Sequence, residues 1–420
     1  MIPVYYDEIN EVWKKADSTN QDRNYKWYDY CEKKWANSVT VTSSSRSTYL
    51  NASPGTEIAM DDILTMQVWV PRYKYKVWNY NSDGTKTSES QEIEIVFESG
   101  KSSTGEIECT DNIQGEGGDG TSEICKLKST KEECTDETCN DKYYTHPAFT
   151  FGNEELEGFW IGKFELTGEI DNITTKPNLS SIRNQNVSSF ETNIMKMKDT
   201  GNQYGLSTST DTHMIKNMEW GAVSYLSHSK YGTCMNGYCI GMGKNNNSNY
   251  ITGCGDKADS ASSLTCNSYN TDLGMGASTT GNIYGVYDMS GGAYDYVMGN
   301  MMYTNLGISG INISSNSGYT GVVYDSGNYT SYQGTYSYPE DKYYDKYSFS
   351  EDDFLSIGKL GDATKENFFV NTFIISSRPW FARGGYYDNN LNNVTIFRCS
   401  NNFGIDYDDR STHFVLNIII

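Results

Sequence analysis

Positively charged residues are scarce in this 420-residue sequence, which has 33 Lys and Arg against 54 Asp and Glu and a formal net charge of -21. Nucleic acids and anionic membrane surfaces bind proteins through clustered Lys and Arg. The sequence has no basic block, so it argues against a nucleic-acid partner. Long apolar runs are also missing, and none approaches the roughly 18–20 residues of a spanning helix, which argues against direct membrane insertion.

Histidines are few and scattered, and no Cys-x-x-Cys pair occurs, which makes zinc the weaker interpretation of the cysteines. Most of the ten cysteines instead fall in close pairs within polar, Gly- and Thr-rich stretches. Such pairing predicts disulfides, which persist in oxidising compartments. The predicted pairs are Cys109 with Cys125, Cys134 with Cys139, Cys234 with Cys239, and Cys254 with Cys266. Cys31 and Cys399 are left over, and Cys399 is interpreted as a buried free thiol or as the partner of a distant cysteine.

The predicted disulfides favour an extracellular or cell-surface location. The first residues, MIPVYYDEINEVWKK, have neither the basic region nor the apolar core of a signal peptide. We therefore expect a further N-terminal part upstream of Met1, such as a signal, a pilin-like stem or a string of surface modules.

Composition divides the chain into two parts. Residues 1–45 alternate aromatic and polar positions and predict a small β-rich lead-in. Residues 46–420 are expected to form one larger domain, in which period-two alternation from Val68 to Val77 predicts a strand. A Cys-rich loop at about residues 100–142 has hardly any apolar residues and is expected to be an inserted surface loop.

Two further elements are predicted from apolar spacing. Met214, Met218, Ala222 and Leu226 lie four apart, which predicts a helix with one apolar face. The closing segment ends in the apolar run VLNIII, which is expected to insert as a strand into the sheet formed earlier in the chain.

Five motifs occur in a fixed order: VWVPRYKY at 68–75, GFWIGKFELTG at 158–168, NMEWGAVSYL at 217–226, NIYGVYDMSGGAYDY at 282–296, and RGGYYDNN with FRC at 383–399. Together they resemble the formylglycine-generating-enzyme (sulfatase-modifying factor) family, whose fold is related to C-type lectins. The fourth motif is the most specific. Three longer stretches, WVPRYKYKVWNY at 69–80, THPAFTFG at 145–152 and HMIKNMEWGAVSYLSHSKYG at 213–232, are also similar to exported proteins of Gram-positive gut-type bacteria.

The resemblance implies an α+β fold with short twisted sheets and much irregular structure. Enzymes of this family oxidise a cysteine with copper bound by two cysteines that follow the Arg-Gly-Gly motif. The positions that match those cysteines are Asn389 and Val394, and neither side chain binds copper(I). We therefore expect no copper-dependent oxidase activity in this chain.

Calcium is the only cofactor that the resemblance leaves open. Family members bind it partly through an Asn and a Glu, which are matched here by Gly292 and Asp295. Asp295 could supply a carboxylate oxygen, but the amide oxygen is missing. The alternative is that Asp295 only accepts backbone hydrogen bonds in the Gly-rich turn.

The last segment is rich in Tyr, Asn, Asp and Ser, a mixture that recognition surfaces favour because Tyr supplies contact area with few rotors while the polar residues adapt their hydrogen bonds. It is also similar to the variable part of lectin-like proteins diversified by retroelements; the alternative is a Tyr- and Asn-rich loop without a ligand. The candidate ligand-binding residues are Tyr386, Tyr387, Asp388, Asn389, Asn390, Asn392, Asn393, Ser400, Asn402, Asp406, Tyr407 and Asp408.

The sequence therefore predicts an adhesin-like surface recognition protein that binds a glycan or a cell-surface protein and is not an enzyme. No Gly-x-Ser-x-Gly nucleophile elbow and no phosphate-binding Gly-x-x-x-x-Gly-Lys-Ser/Thr loop occurs. Two alternatives remain: a structural module of a pilus or phage tail, and an enzyme of unrecognised type.

Overall fold

A computed structural model describes residues 1–19, 25–76, 92–105, 143–256, 266–302, 312–314, 316–325, 328–348, 361–364, 374–375, 377–387 and 395–418. Most of the predicted Cys-rich loop lies outside these residues. So do Cys109, Cys125, Cys134 and Cys139, and the predicted site residues Asp388, Asn389, Asn390, Asn392 and Asn393, with Val394.

Short strands dominate the described residues, and helices are few. The α-helices are α1 (Ser43–Asn51), α2 (Val187–Met195), α3 (Asn217–Ser227) and α4 (Asp272–Met275). Single 3₁₀ turns are formed by Tyr30–Glu32, Pro147–Phe149, Lys196–Lys198, Asp341–Tyr343 and Thr395–Phe397. The strands are β1 (Ile2–Asp7), β2 (Val12–Lys15), β3 (Asn37–Val41), β4 (Ile63–Pro71), β5 (Tyr73–Lys76), β6 (Ile95–Phe97), β7 (Tyr143–Thr145), β8 (Thr150–Phe151), β9 (Glu154–Glu155), β10 (Gly158–Gly162), β11 (Thr167–Glu169), β12 (Asn172–Thr174), β13 (Thr210–Met214), β14 (Cys234–Met235), β15 (Tyr238–Cys239), β16 (Tyr294–Met302), β17 (Asn312–Ile313), β18 (Gly321–Asp325), β19 (Asn328–Tyr332), β20 (Asp345–Ser348), β21 (Trp380–Arg383), β22 (Cys399–Asn402), β23 (Arg410–Ser411) and β24 (Phe414–Ile418).

The largest sheet has seven strands in the order β13-β24-β10-β4-β3-β1-β2, and every neighbouring pair is antiparallel. The closing strand β24 lies between β13 and β10, so that Val415 is opposite both His213 and Ile161. The predicted insertion of the closing segment is confirmed. An apolar strand fits there because both of its edges are paired and Phe414, Val415 and Leu416 are buried.

Residues 1–45 contribute β1, β2 and β3 to this same sheet, through the pairing of β3 with β4. Contacts outside the sheet hold them in place as well: the hydroxyl of Tyr284, in the fourth motif, donates to the carbonyl of Tyr6 at 3.2 Å, and the Trp13 indole donates to the Tyr269 hydroxyl at 3.2 Å. The predicted lead-in before residue 45 and the predicted domain after it therefore contribute strands to the same sheet.

Helix α3 is buried along its whole length. It begins one residue after Lys216, whose backbone N–H donates to the Glu219 carboxylate at 2.9 Å. Met214, which the apolar spacing assigned to this helix, instead ends strand β13, opposite Phe414. The four-residue apolar spacing therefore crosses a strand-to-helix junction only by coincidence. Met214 is buried within the sheet and does not belong to the apolar face of the helix.

A second, mixed sheet carries the fourth and fifth motifs. Its strand order is β20-β16-β21-β22, and β23 also pairs with β16. In this sheet Asp295 lies opposite Arg383, and Ala382 lies opposite Ser400. Antiparallel sheets with few helices agree with the predicted α+β class, while the finer expectation of a fold related to C-type lectins stays a prediction.

Replacing Gly221 with alanine is expected to destabilise the protein by about 1–3 kcal/mol, although alanine is the better helix former. A Cβ atom at Gly221 would lie 1.9 Å from the carbonyl oxygen of Gly361 and 2.9 Å from Cα of Asp362. Helix α3 would have to move away from this backbone. Urea unfolding followed by circular dichroism measures the change, and unaltered or greater stability of G221A would contradict this packing.

Candidate functional site

The structure describes seven of the residues predicted to bind a ligand. Tyr386 and Tyr387 follow β21, Ser400 and Asn402 lie on β22, and the other three, Asp406, Tyr407 and Asp408, precede β23. Strand β21 pairs with β22, and β23 pairs with β16 beside them, so the two ends of the predicted segment come to the same sheet.

A tyrosine cluster surrounds the start of this segment. The Tyr386 ring stacks on Tyr294 with a centroid distance of 5.4 Å and meets Tyr387 edge-on at 5.4 Å. Tyr387 in turn meets Tyr250 edge-on at 5.2 Å. Edge-to-face and offset-stacked contacts of this kind favour a fixed ring arrangement. The half-buried rings of Tyr250, Tyr386 and Tyr387 thus present a preformed aromatic surface.

Two arginines connect the tyrosine cluster to the residues that precede β23. The Arg410 guanidinium lies 4.2 Å from the Tyr294 ring centroid and 5.3 Å from that of Tyr407. The Arg183 guanidinium lies 4.1 Å from the ring centroid of Tyr250. These cation–π contacts join the two ends of the predicted segment into one surface.

Backbone contacts bring a distant loop against the same surface. The N–H of Asn184 donates to the carbonyl of Tyr407 at 2.9 Å, and the Arg183 side chain donates to the carbonyl of Asp408. The loop before α2 is thereby held beside Asp406.

A polar cleft of about 650 Å³ opens at this junction, and we call it the amide cleft. Its volume falls within the range typical of small-ligand sites. Asp406 supplies the carboxylate, and the other lining residues offer amides, hydroxyls, tyrosine rings and backbone. The lining residues are Asn184, Gln185, Asn186, Ser189, Asn316, Gly318, Tyr332, Gln333, Gly334, Thr335, Tyr336 and Asp406.

The wall of the amide cleft is fixed by Asn186, which caps helix α2. Its side-chain oxygen accepts from the N–H of Ser189 at 2.9 Å, and its amide nitrogen donates to the carbonyl of Asn316 at 3.2 Å. An N-cap contact of this kind stabilises a helix by about 1 kcal/mol. One side chain thus both begins the helix and joins two walls of the cleft.

Sequence reasoning found Asp406 but missed the rest of the cleft lining. The other lining residues also lie in stretches where Asn, Gln and Tyr are frequent. Composition alone could not identify them as one site, because these stretches are far apart in sequence.

One of the predicted residues does not belong to the accessible surface. Asn402 is buried, and its side-chain oxygen accepts from the Tyr296 hydroxyl at 2.7 Å and from the N–H of Gly404 at 3.1 Å. Ser400 is half-buried in β22, opposite Ala382. Asn402 therefore supports the sheet beneath the site.

A second cavity, of about 470 Å³, lies beside β1. Two of its four carboxylates are already engaged: Asp7 pairs with Lys14 at 2.6 Å, and Asp29 pairs with Lys26 at 2.5 Å. For this reason we favour the amide cleft. The residues that line the second cavity are Tyr5, Tyr6, Asp7, Glu8, Ile9, Lys26, Tyr28, Asp29, Glu32, Lys34 and Tyr284.

The predicted calcium residues lie in a buried group of acids. One Asp295 oxygen is 3.0 Å from Nδ1 of His413, and the other has no hydrogen-bond partner. Gly292 has no room for a side chain, because a Cβ atom would lie 2.9 Å from Oε1 of Glu165, which accepts from the N–H of Ala293 at 2.9 Å. Glu165 therefore occupies the space beside Gly292.

Burial and the repulsion between neighbouring carboxylates raise the pKa values of these buried acids. Burial, with the charges of Asp295 and Asp288, holds the pKa of Glu165 well above its usual value. Burial, with the charge of Asp288, likewise raises the pKa of Asp295, and burial raises that of Asp288 to about 6. No three of these carboxyl groups place a ligand atom within 4.8 Å of one another, as a metal site would require. Within the described ranges, only His228, Cys234 and Cys239 meet this distance. Calcium stays a prediction.

Two of the predicted disulfides are present, Cys234–Cys239 and Cys254–Cys266. Cys399 is a buried free thiol, as one of the two interpretations expected, and burial raises its pKa to about 11. Cys31 is exposed and also free.

No family model matches the chain, and no curated protein matches it either. None of the helices in the described part of the chain is long and apolar enough to span a membrane.

Proposed function

We propose that this protein is a recognition module outside the cell that binds a hydroxyl-rich ligand, such as a glycan, in the amide cleft and on the adjoining tyrosine cluster. The observation that carries the proposal is the cleft lining: side-chain amides offer both donors and acceptors, which match sugar hydroxyls. Tyrosine faces beside it suit the apolar faces of sugar rings.

Other features support this proposal. The two disulfides favour an oxidising location. Asp406 supplies an anionic acceptor, which forms stronger hydrogen bonds with hydroxyl donors than a neutral group does. The resemblance to exported bacterial proteins and the expected loss of the copper-binding cysteines favour binding over oxidase chemistry.

The double variant D406A/Q333A tests the proposal. Both side chains line the cleft and are exposed, so their loss is expected to weaken glycan binding at least about fivefold, since each lost hydrogen bond contributes roughly 0.5–1.5 kcal/mol. Binding is measured on a glycan array and then by calorimetry with the strongest binder. Equal affinity of the variant and the natural chain would refute the assignment of the cleft.

The matched control is E169A/N51A, which removes one exposed carboxylate and one exposed amide outside the cleft lining. It is expected to bind as the natural chain does. Repeating the measurement with calcium and then with a chelator tests the calcium prediction separately. An absence of binding to every glycan and to intact cells would remove the recognition proposal itself.

A further inference from the structure

The Cys234–Cys239 disulfide closes a short hairpin formed by β14 and β15. The two cysteines are directly opposite each other, with a Cα–Cα distance of 4.0 Å. His228, the residue that follows helix α3, lies beside them. We call His228, Cys234 and Cys239 the Cys–His cluster.

The three side chains of the Cys–His cluster are arranged like metal ligands. Each offers one ligand atom, and these atoms all lie within 4.8 Å of one another. All three residues are buried, with exposed fractions of 2%, 1% and 3% for His228, Cys234 and Cys239. Two thiolates and one imidazole are ligands that zinc and similar thiophilic ions prefer.

We propose that reduction of the Cys234–Cys239 disulfide converts the Cys–His cluster into a binding site for a thiophilic ion of the zinc class. In the oxidised state the sulfurs are bonded to each other and cannot act as thiolate ligands. The site is therefore latent, and the redox state of the surroundings decides whether it exists.

The chemistry balances with a dithiol as the reductant. Thiol–disulfide exchange cleaves the bond between the two sulfurs with two electrons from the dithiol, which becomes a disulfide itself. The dithiol's two protons are left on Cys234 and Cys239, and metal binding then releases them, because the ligands are thiolates.

The geometry of the cluster suits a tetrahedral ion. Zinc–sulfur bonds of about 2.3 Å and a zinc–nitrogen bond of about 2.0–2.1 Å place the sulfurs about 3.8 Å apart and each sulfur about 3.6 Å from the nitrogen. Both required distances are shorter than 4.8 Å, the upper limit on the distances between the three ligand atoms in the structure. Once the bond between them is cleaved, the sulfurs have to separate to about 3.8 Å. Three protein ligands leave one position of the ion for a further ligand.

A metal ion would keep the hairpin closed after the disulfide is lost. The hairpin tip carries Met235 and Tyr238, which are 62% and 65% exposed, and the carbonyl of Cys234 accepts from Lys33 at 3.0 Å. Its shape would thus be retained under both oxidising and reducing conditions.

Cobalt(II) binding to the reduced full-length chain tests the proposal, because cobalt–thiolate bonds absorb in the near ultraviolet. After a dithiol has reduced the protein and has been removed under nitrogen, we expect a sulfur-to-cobalt charge-transfer band that zinc abolishes by displacement. The oxidised chain should show no such band. Absence of the band from the reduced chain would overturn the proposal.

Paired cysteine variants locate the site. C234S/C239S should bind one ion fewer per chain than the natural protein, whereas C254S/C266S, which removes the other described disulfide, should bind the same number. H228Q should retain thiolate–cobalt absorption but bind more weakly, with circular dichroism confirming that it folds. Equal metal binding by C234S/C239S and the natural chain would place the ion on other cysteines and refute the assignment.

Discussion

Replacing His213 with alanine is expected to destabilise the protein by about 3–5 kcal/mol, the largest effect that we predict for a single substitution. The imidazole is buried between two carboxylates: Nδ1 lies 2.7 Å from Asp211 Oδ1, and Nε2 lies 3.0 Å from Glu219 Oε1. Its removal leaves both carboxylates without their central partner in the protein interior.

The pKa values agree with an ionised histidine. Burial by itself lowers the pKa of His213, but the neighbouring carboxylates of Glu219 and Asp211 raise it to about 9. Burial alone would raise the pKa of Asp211 and of Glu219, yet His213 holds both below their usual values. Asp211 also accepts from Lys198 at 2.9 Å and from the Tyr343 hydroxyl at 2.8 Å.

Thermal and urea unfolding measure the loss of unfolding free energy in H213A. The comparison variant is H146A, which removes another buried imidazole. Burial lowers the pKa of His146 to about 3. Since that ring is neutral, its loss leaves no unpaired charge and should cost less. The variants D211N and E219Q should each cost stability in the natural chain but recover some of it in H213A. If they cost stability in both backgrounds, charge pairing is not what His213 contributes.

Replacing Glu191 with glutamine is expected to make the stability of the protein less sensitive to a rise in pH from 5 to 8. Glu191 is buried on α2 and accepts from the N–H of Met214 at 2.6 Å, while its other oxygen has no partner. Burial raises its pKa from 4.5 to about 8, although His213 opposes this shift. The folded protein therefore keeps Glu191 protonated at neutral pH.

The sign of the effect follows from proton linkage. The unfolded chain loses the Glu191 proton above pH 4.5, whereas the folded chain keeps it up to about pH 8. The contribution to stability is thus complete below pH 4.5 and is lost as the pH rises to about 8. At about 1.4 kcal/mol per pH unit, E191Q should gain on the order of 2–4 kcal/mol over the natural chain between pH 5 and pH 8.

Unfolding free energies at several pH values measure this difference. E169Q, which changes an exposed glutamate, should follow the natural chain at every pH. A difference between E191Q and the natural chain that stays constant from pH 5 to pH 8 would show that Glu191 is ionised in the folded protein.

These buried groups also support the proposed site. Glu191 joins α2 to β13 through Met214, and α2 is capped by Asn186, which forms part of the amide cleft. H213A, which disturbs the charge network beside Glu191, is therefore expected to weaken ligand binding as well as stability.

Local patterns of the sequence were sufficient for several features. Alternation predicted strands around Val68, and β4 lies there. Close spacing predicted the disulfides Cys234–Cys239 and Cys254–Cys266, and the apolar end of the chain predicted β24. Each of these depends mainly on residues near one another in sequence, where backbone geometry limits the possible structures.

Only the tertiary structure decided the features that depend on distant segments. It placed Met214 in a strand, joined residues 1–45 to the central sheet, and buried Asn402 beneath the surface that its composition had suggested. It also assembled the amide cleft from the loop before α2, the strands around Tyr332 and the residue Asp406. Composition identifies residue types suited to binding, but burial and long-range hydrogen bonds determine which of them a ligand can reach.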